Sequence, residues 1–183
     1  MPTRQEAFQL LTEYTKTESL ISHALAVEAA MRAYARKYSQ DEELWGIVGL
    51  LHDFDYERYP NAPDHPLKGS EILKERGYSE EIRRAILGHA SYSNIQRDTL
   101  MAKCLYACDE LSGFIIACAL VRPNKIADLE ASSVKKKMKD KAFARSVSRD
   151  DIKEGITELG VNADEHIQFV INAMKEVASD LGL

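Results

Sequence analysis

Apolar residues recur every three or four positions along most of the chain, and no segment shows the strict alternation of a half-buried strand. Ala, Leu, Glu, Lys and Arg, which favour helices, are abundant in these segments. The pattern therefore predicts an all-α protein of about eight helices joined by short loops. We expect the helices to bury their apolar stripes in one bundle core.

Capping residues and apolar stripes together locate six of these helices. Their predicted bounds are about Thr3 to Tyr14, Thr17 or Ser19 to Tyr38, near Asp41 to His52, Pro66 to Gly77, Ser79 to His89, and about Thr99 to Val121. Gly46 and Gly49 lower the helix propensity of the third helix, which predicts close approach of a neighbouring helix there. The segment 54–63 is rich in turn residues and acids, and it predicts a connecting loop.

Length and composition narrow the class of protein. A chain of 183 residues without a composition break favours one domain over residues 1–183. The net charge of −5, with acids and bases interspersed, argues against a nucleic-acid or membrane-surface protein. Three cysteines without a CxxC pair suit a reducing compartment. The N-terminal residues lack a signal-peptide pattern, and the longest uncharged apolar stretch, Leu111–Val121, is too short to span a membrane. We therefore expect a cytoplasmic protein.

Six chemically reactive side chains fall on predicted core faces. They are His23, His52, Asp53, His65, His89 and Asp109. A single histidine in this position is commonly a core residue satisfied by a hydrogen bond. Six such polar groups in one interior would be costly to desolvate unless they bind something. A metal ion removes that cost because it converts lone pairs and carboxylates into ligands, so the pattern predicts a metal site in the bundle core.

The order of these residues resembles that in a known superfamily. His23, then the pair His52-Asp53 at the end of an apolar helix, then Asp109 on a later helix is similar to the HD-domain superfamily of metal-dependent phosphohydrolases, which are all-helical. The resemblance covers roughly residues 20–120, whereas the C-terminal helices, about 122–183, match nothing recognisable. It implies a single HD-type domain in which these four residues bind one divalent ion.

A second motif resembles one found in the binuclear branch of that superfamily, whose members bind two metal ions. The run His65-Pro-Leu-Lys-Gly69 looks like its His-Pro-x-x-Gly element, and His89 ends the next helix. The resemblance implies a second ion bound by Asp53, His65 and His89, with Asp53 and a water or hydroxide as bridges. The Gly-Tyr-Pro signature of cyclic-di-GMP phosphodiesterases and the extra glutamate of trinuclear relatives are missing. One or two ions of manganese, iron, cobalt, nickel or zinc would suit these ligands.

The implied reaction is hydrolysis of a phosphate ester of a small metabolite or nucleotide by a metal-activated water. Asp53 would bridge the ions, and Asp55 either orients the nucleophile and takes its proton or is a solvated loop acid. Lys68 is the first candidate to bind the substrate phosphate, followed by Arg58 and Arg122. The alternative for each is an ordinary surface cation, which is the favoured interpretation for Arg58 and Arg122.

Two other functions remain open from the sequence. HD-type diiron oxygenases resemble this chain in nearly the same six ligands, and a regulatory module could hold the metal without turnover. Tyr56, Tyr59 and Tyr92 could stack on a nucleobase or simply cover the edge of the core. The sequence gives no oligomeric state.

Three further features have simpler interpretations. The run Val134–Arg145 contains six cations and one acid, and it predicts a solvated helix face, with a substrate lid or a nucleic-acid patch as alternatives. Cys104 and Cys108 lie one turn apart and are expected to be small buried side chains. His166 lies near the start of the last helix, and we expect it at the surface.

Overall fold

Ten α-helices and one short 3-10 helix make up the part of the chain that the computed structural model describes, residues 2–183, and this part contains no strand. The helices are α1 Arg4–Tyr14, α2 Glu18–Lys37, α3 Glu42–Leu51, α4 Asp64–Glu75, α5 Glu80–His89, α6 Leu100–Leu120, α7 Ala131–Met138, α8 Arg149–Leu159, α9 Ala163–Glu176 and α10 Ala178–Leu181; the 3-10 helix is Ser91–Ser93. The all-α prediction is confirmed, but about eight helices was too few.

Side-chain caps lie at the predicted starts of four of the N-terminal helices, whereas Thr17, the N-cap of α2, makes no side-chain capping bond. Thr3 forms a capping box with Glu6, and the side chains of Asp41, Ser79 and Thr99 accept backbone N–H bonds at the starts of α3, α5 and α6. These side chains satisfy amide groups that have no partner within the helix. The starts of these helices were therefore encoded locally.

Helix α4 departs from its predicted start. The predicted helix began at Pro66, whereas α4 begins at Asp64 and contains non-helical backbone at His65 and Pro66. The ψ angle of His65 is 131°, an extended value that is expected for a residue before proline. Regular helix resumes only after Pro66, so His65 is presented from a kink.

Helix α2 lies at the centre of the bundle and packs against α3, α6 and α9, while α6 also packs against α5 and α8. The predicted close approach at Gly49 is confirmed. A Cβ at that position would lie 2.8 Å from the carbonyl oxygen of Val27 and 2.9 Å from the Cα of Glu28, both on α2. The absence of a side chain at Gly49 therefore lets α3 lie against the backbone of α2.

His166 is buried, so its predicted surface position is wrong. Its side chain is 1 % exposed, and its Nε2–H donates to the carbonyl of Ala107 at 2.9 Å. Its Nδ1 accepts a hydrogen bond from the hydroxyl of Tyr34. Burial lowers the pKa of His166 to about 4. The neutral imidazole thus links α9 to α2 and α6.

The basic run is a helix only in its first half. Helix α7 ends at Met138, and residues 139–147 form a series of turns before α8. The lysines of the run are exposed, whereas Val134 is fully buried. Cys104 and Cys108 are buried free cysteines, as predicted. Among residues 2–183, no helix combines the length and apolar character that a bilayer crossing requires.

Candidate metal centre

Five segments of the bundle direct their polar side chains to one place. α2 provides His23, the end of α3 provides His52 and Asp53, α4 provides His65, α5 ends with His89, and α6 provides Asp109. The three histidines His52, His65 and His89 are at most 9 % exposed. The structure therefore brings together all six residues that the sequence predicted as ligands.

The first group of ligand atoms comes from four residues. The Nε2 atom of His23 lies 3.1 Å from Nε2 of His52 and 3.0 Å from Oδ1 of Asp109. The Nε2 atom of His52 lies 3.2 Å from the same Asp109 oxygen. Oδ2 of Asp53 completes the group at 3.3 Å from His52 and 3.7 Å from His23.

The second group shares Asp53 with the first. Its other oxygen, Oδ1, lies 3.1 Å from Nε2 of His65 and 3.1 Å from Nε2 of His89. The two imidazole nitrogens are 3.3 Å apart. Because each carboxylate oxygen of Asp53 faces a different group, this residue can bind two ions at once.

The spacing of these atoms fits divalent transition metals. Two ligand atoms at about 2.1 Å from one ion, seen at a right angle, are about 3 Å apart, which is close to the spacing in both groups. The Nδ1 atom of His52 donates to the carbonyl of Gly49 at 2.7 Å, and that of His89 donates to the carbonyl of Ile86. Their Nε2 atoms therefore carry lone pairs in the neutral form. Facing lone pairs repel each other unless a cation lies between them.

Without metal, protons on the histidines relieve part of the repulsion between the facing lone pairs. Burial alone would lower the pKa of His52, but the adjacent Asp53 and Asp109 carboxylates raise it well above its ordinary value. Burial likewise opposes the shift of His65, yet its hydrogen bonds to Asp53 and Asp55 raise its pKa to about 9. The pKa values of both carboxyls, Asp53 and Asp109, are lowered by the histidines against the effect of burial. Metal and protons therefore compete for the same nitrogens.

Asp55 supports the second group rather than facing solvent. It is 1 % exposed, so the interpretation as a solvated loop acid is wrong. Its Oδ1 accepts from Nδ1 of His65 at 2.8 Å, and its Oδ2 accepts from the backbone N–H of Gly69 at 2.9 Å. A Cβ at residue 69 would lie 2.7 Å from the Asp55 carboxylate carbon. The glycine of the His-Pro-x-x-Gly element thus makes room for the group that orients the histidine.

Two of the three loop tyrosines border His65. The hydroxyl of Tyr92 donates to the backbone carbonyl of His65 at 2.6 Å, and the Tyr56 ring lies edge to face with the imidazole at 5.3 Å. Both rings are partly exposed, at 51 % and 40 %. They are therefore positioned to contact a molecule that approaches the second group. Within residues 2–183, no side-chain hydrogen bond or ring pair joins Tyr59 to any of the six predicted ligands.

The three candidate substrate cations are placed differently. Lys68 lies on α4 beside Gly69, and its half-exposed ammonium is 3.5 Å from Glu71. Arg58 donates to the carbonyl of Glu13 at 2.7 Å and lies over the Tyr14 ring. Arg122 binds Asp128 beyond the end of α6.

Arg122 lies beyond the C-terminal end of α6, far from the ligand on that helix. It follows Asp109 by thirteen residues, which corresponds to about 20 Å at the rise of an α-helix. Of the three cations, only Lys68 lies on an element that carries a ligand.

Glu110 is a neighbour of the site that the sequence did not single out. Its carboxylate accepts from the backbone N–H of Ser148 at 2.8 Å, which links α6 to the start of α8. Burial and the charge of Asp109 raise the pKa of Glu110 to about 6. No short motif marks this contact, because the two residues are distant in the sequence.

The fold and the site define a helical bundle with a largely buried cluster of His and Asp side chains that could hold metal ions. A family model of the HD domain matches residues 20–113, about half of the chain, and the chain belongs to the HD domain family. Members of this superfamily are mostly metal-dependent phosphohydrolases. The match covers α3, α4 and α5 completely, most of α2 and about two thirds of α6. Its bounds include all six predicted ligand residues.

The similarity of the chain to one curated protein gives no information on activity. An uncharacterised protein of Methanocaldococcus jannaschii is 35 % identical over 71 residues, which are 36 % of this chain and 41 % of that protein. The chain thus matches less than half the length of this relative. No solved structure is significantly similar to the chain.

Proposed function

We propose that this protein is a metal-dependent hydrolase of phosphoric esters whose substrate is a small phosphorylated metabolite or nucleotide. The observation that carries the proposal is the division of Asp53 between two ligand groups, with one oxygen facing each. Bound divalent ions would supply Lewis acidity and lower the pKa of a coordinated water, the chemistry that in-line hydrolysis of a phosphate ester requires.

The chain's own residues hold and orient the ligands. His52 and His89 are fixed by hydrogen bonds to backbone carbonyls within their own helices, and His65 is fixed by Asp55. These bonds direct each Nε2 atom toward its group, an arrangement that supports tight metal binding. For Asp55 we propose this positioning role, since both of its oxygens already accept hydrogen bonds.

The residues around His65 support the proposed type of substrate. Lys68 provides a positive charge on the same helix as His65, and the exposed rings of Tyr56 and Tyr92 flank that histidine. A cation suits a phosphate group, and aromatic rings suit the base of a nucleotide. We propose that Lys68 binds the substrate phosphate.

The proposal is tested by reloading chelator-stripped protein separately with manganese, iron, cobalt, nickel, zinc or magnesium. Each form is assayed on a panel of phosphomonoesters, phosphodiesters and nucleotides. Metal-dependent release of phosphate or alcohol is expected in the wild type and not in Asp53→Asn. The matched control is Asp180→Asn, which changes an exposed acid on α10.

If protein that demonstrably binds metal hydrolyses no member of the panel, the proposed hydrolase function is overturned. Oxygen-dependent loss of a substrate by the iron form, without hydrolysis of ordinary esters, would instead identify a diiron oxygenase. Metal binding without any turnover would identify a regulatory module.

A further inference from the structure

The C-terminal third of the molecule contains a large groove that the proposed hydrolase does not use. It lies between α7, the turns 139–147, α8 and α9, and its volume is about 1360 Å³. Pockets for small molecules are typically about 300–1,000 Å³. The size of the groove therefore favours part of a macromolecule over a metabolite.

The floor of the groove is apolar and its rim is basic. Met138, Val147, Ile156 and Ile167 contribute to the lining from α7, the turns, α8 and α9. Seven cations and three acids also line it. Among these charged residues, Lys135 forms a salt bridge with Asp164 at 2.6 Å.

Several rim cations remain available to a partner. Lys139, Lys141, Arg145 and Lys153 are exposed, and none of them forms a salt bridge within residues 2–183. Residues 134–149 carry seven cations and one acid, whereas the rest of the chain carries 17 cations and 28 acids. Positive charge in this acidic protein is thus concentrated around an apolar floor.

The wall of the groove is fixed from within. The guanidinium of Arg149 donates to the carbonyls of Asp140, Phe143, Ala144 and Val147, and it lies over the ring of Phe114 on α6. These bonds hold the turns 139–147 against the bundle. Because the groove is formed in advance, an occupant need not order it on binding.

We propose that this groove binds an acidic amphipathic helix of a partner protein. Such a helix would bury its apolar stripe on the floor and place its carboxylates against the rim, the usual mode of a helix in a groove. Single-stranded nucleic acid is disfavoured because no aromatic side chain of residues 2–183 lines the groove for base stacking. A flat bilayer would contact the rim without filling the floor.

The test uses a fluorescein-labelled peptide of about four helical turns with Leu at i, i+3, i+4 and i+7 and Glu on the other faces. Fluorescence anisotropy measures its binding to the full chain, with and without chelator. The control peptide has the same composition with the leucines scattered around the helix. Saturable binding is expected for the amphipathic peptide and not for the control peptide, whether or not metal is present.

Variants of the groove separate its charge from its apolar floor. Lys139→Glu/Lys141→Glu is expected to weaken binding about tenfold or more, as for charge reversal opposite an acidic partner. The matched control, Lys74→Glu/Lys175→Glu, makes the same change in net charge outside the groove and is expected to bind as the wild type does. Met138→Asp tests the floor by placing a charge among its apolar side chains. If this variant does not fold, the double variants of the rim decide the outcome.

Four results of the binding measurements would overturn the proposal. They are no saturable binding of the amphipathic peptide, equal binding of both peptides, equal weakening by the two double variants, and stronger binding of an oligouridine than of the peptide. Self-association of the chain that Lys139→Glu/Lys141→Glu abolishes, measured by analytical ultracentrifugation, would assign the groove to a second copy instead. None of these outcomes depends on the activity of the metal centre.

Discussion

At the scale of single residues, the second ligand group depends on a carboxylate that is not itself one of the predicted metal ligands. Asp55 accepts one hydrogen bond from His65 and one from Gly69, so its charge fixes the tautomer and direction of the imidazole. The sequence contains Asp55, Gly69 and the intervening loop, but only the fold shows that the loop returns Asp55 to the kink in α4.

Asp55→Asn is expected to weaken metal binding at the second group by about 10- to 100-fold and to leave the first group nearly unchanged. The amide can accept from only one of its two present donors, because its NH₂ group would face the other. Metal titration followed by calorimetry measures both affinities. Glu71→Gln, an exposed change on α4, is the control. Equal loss at both groups would indicate a general defect of the fold instead.

The pKa of His166 gives a prediction for stability against pH. Burial lowers it to about 4, whereas histidine in an unfolded chain titrates near 6.5. As pH falls from 6.5 to 4, the unfolded state therefore binds a proton that the folded state excludes. This loss lowers the free energy of unfolding by about 3 kcal/mol across that interval.

Urea unfolding in chelator at pH 7 and pH 4.5 tests this prediction in the wild type and in His166→Gln. The variant is expected to be less stable at pH 7 but to lose less stability between the two pH values. Parallel pH dependence of the two proteins would show that His166 is not buried in neutral form.

Residues also show where sequence reasoning was sufficient. The convergence of the six predicted ligands could be inferred, because each lies on an apolar stripe or follows one directly. His166 lies on such a stripe too, with Val170 and Ala173 on α9, so its burial could have been found from the same signal. The burial of Asp55 could not be predicted. It depends on a hydrogen bond to Gly69, fourteen residues further along the chain, and on the kink at the start of α4.

At the scale of elements, the packing of α2 against α3 sets the position of the first ligand group. α2 carries His23, and His52 and Asp53 follow the last turn of α3. Gly49 lies one turn before His52, where α3 meets the backbone of α2. The distance between these helices therefore controls the distance between the imidazoles.

Gly49→Ala is expected to lower the free energy of unfolding by about 1–2 kcal/mol, because the helices must separate while the helix propensity improves. Gly113→Ala on α6 is the matched control. Its Cβ would lie 3.7 Å from Nδ1 of His23, an ordinary contact, so stability should be unchanged or improved by up to about 1 kcal/mol. Denaturant unfolding measures both, and equal effects of the two substitutions would contradict the packing described.

Element boundaries followed from the sequence wherever a local cap defines them, as at Thr3, Asp41, Ser79 and Thr99. The kinked start of α4 did not, because a proline signals a helix start without specifying the turn before it. The C-terminal helices were predicted only as a group, since no recognisable motif lies beyond Asp109.

At the scale of the whole molecule, the bundle holds like charges and facing lone pairs in one interior. The carboxylates of Asp53 and Asp109 and the four histidines come from distant parts of the chain. Folding must bring them together, and a bound ion would compensate their repulsion. A single domain over residues 1–183 and a cytoplasmic location stay predictions from the sequence.

Metal loading is expected to raise the melting temperature. At a free metal concentration about 100 times the dissociation constant, one site contributes about 2.7 kcal/mol, which corresponds to roughly 5–10 °C for a chain of this size. The stabilisation should grow as pH rises from 6.5 toward 9, because His65 of the metal-free protein retains its proton up to a pKa of about 9. Differential scanning fluorimetry with manganese and with excess chelator at several pH values measures this effect. A melting temperature that is indifferent to metal would contradict it.

The central claim is a two-ion centre that shares Asp53, and the count of bound metal tests it most directly. Equilibrium dialysis against manganese, followed by elemental analysis, is expected to give two ions per chain for the wild type, one for His89→Ala, and a deficit at both sites for Asp53→Asn. A single ion in the wild type that His89→Ala leaves unchanged would contradict the second site, and full occupancy in Asp53→Asn would contradict the shared carboxylate.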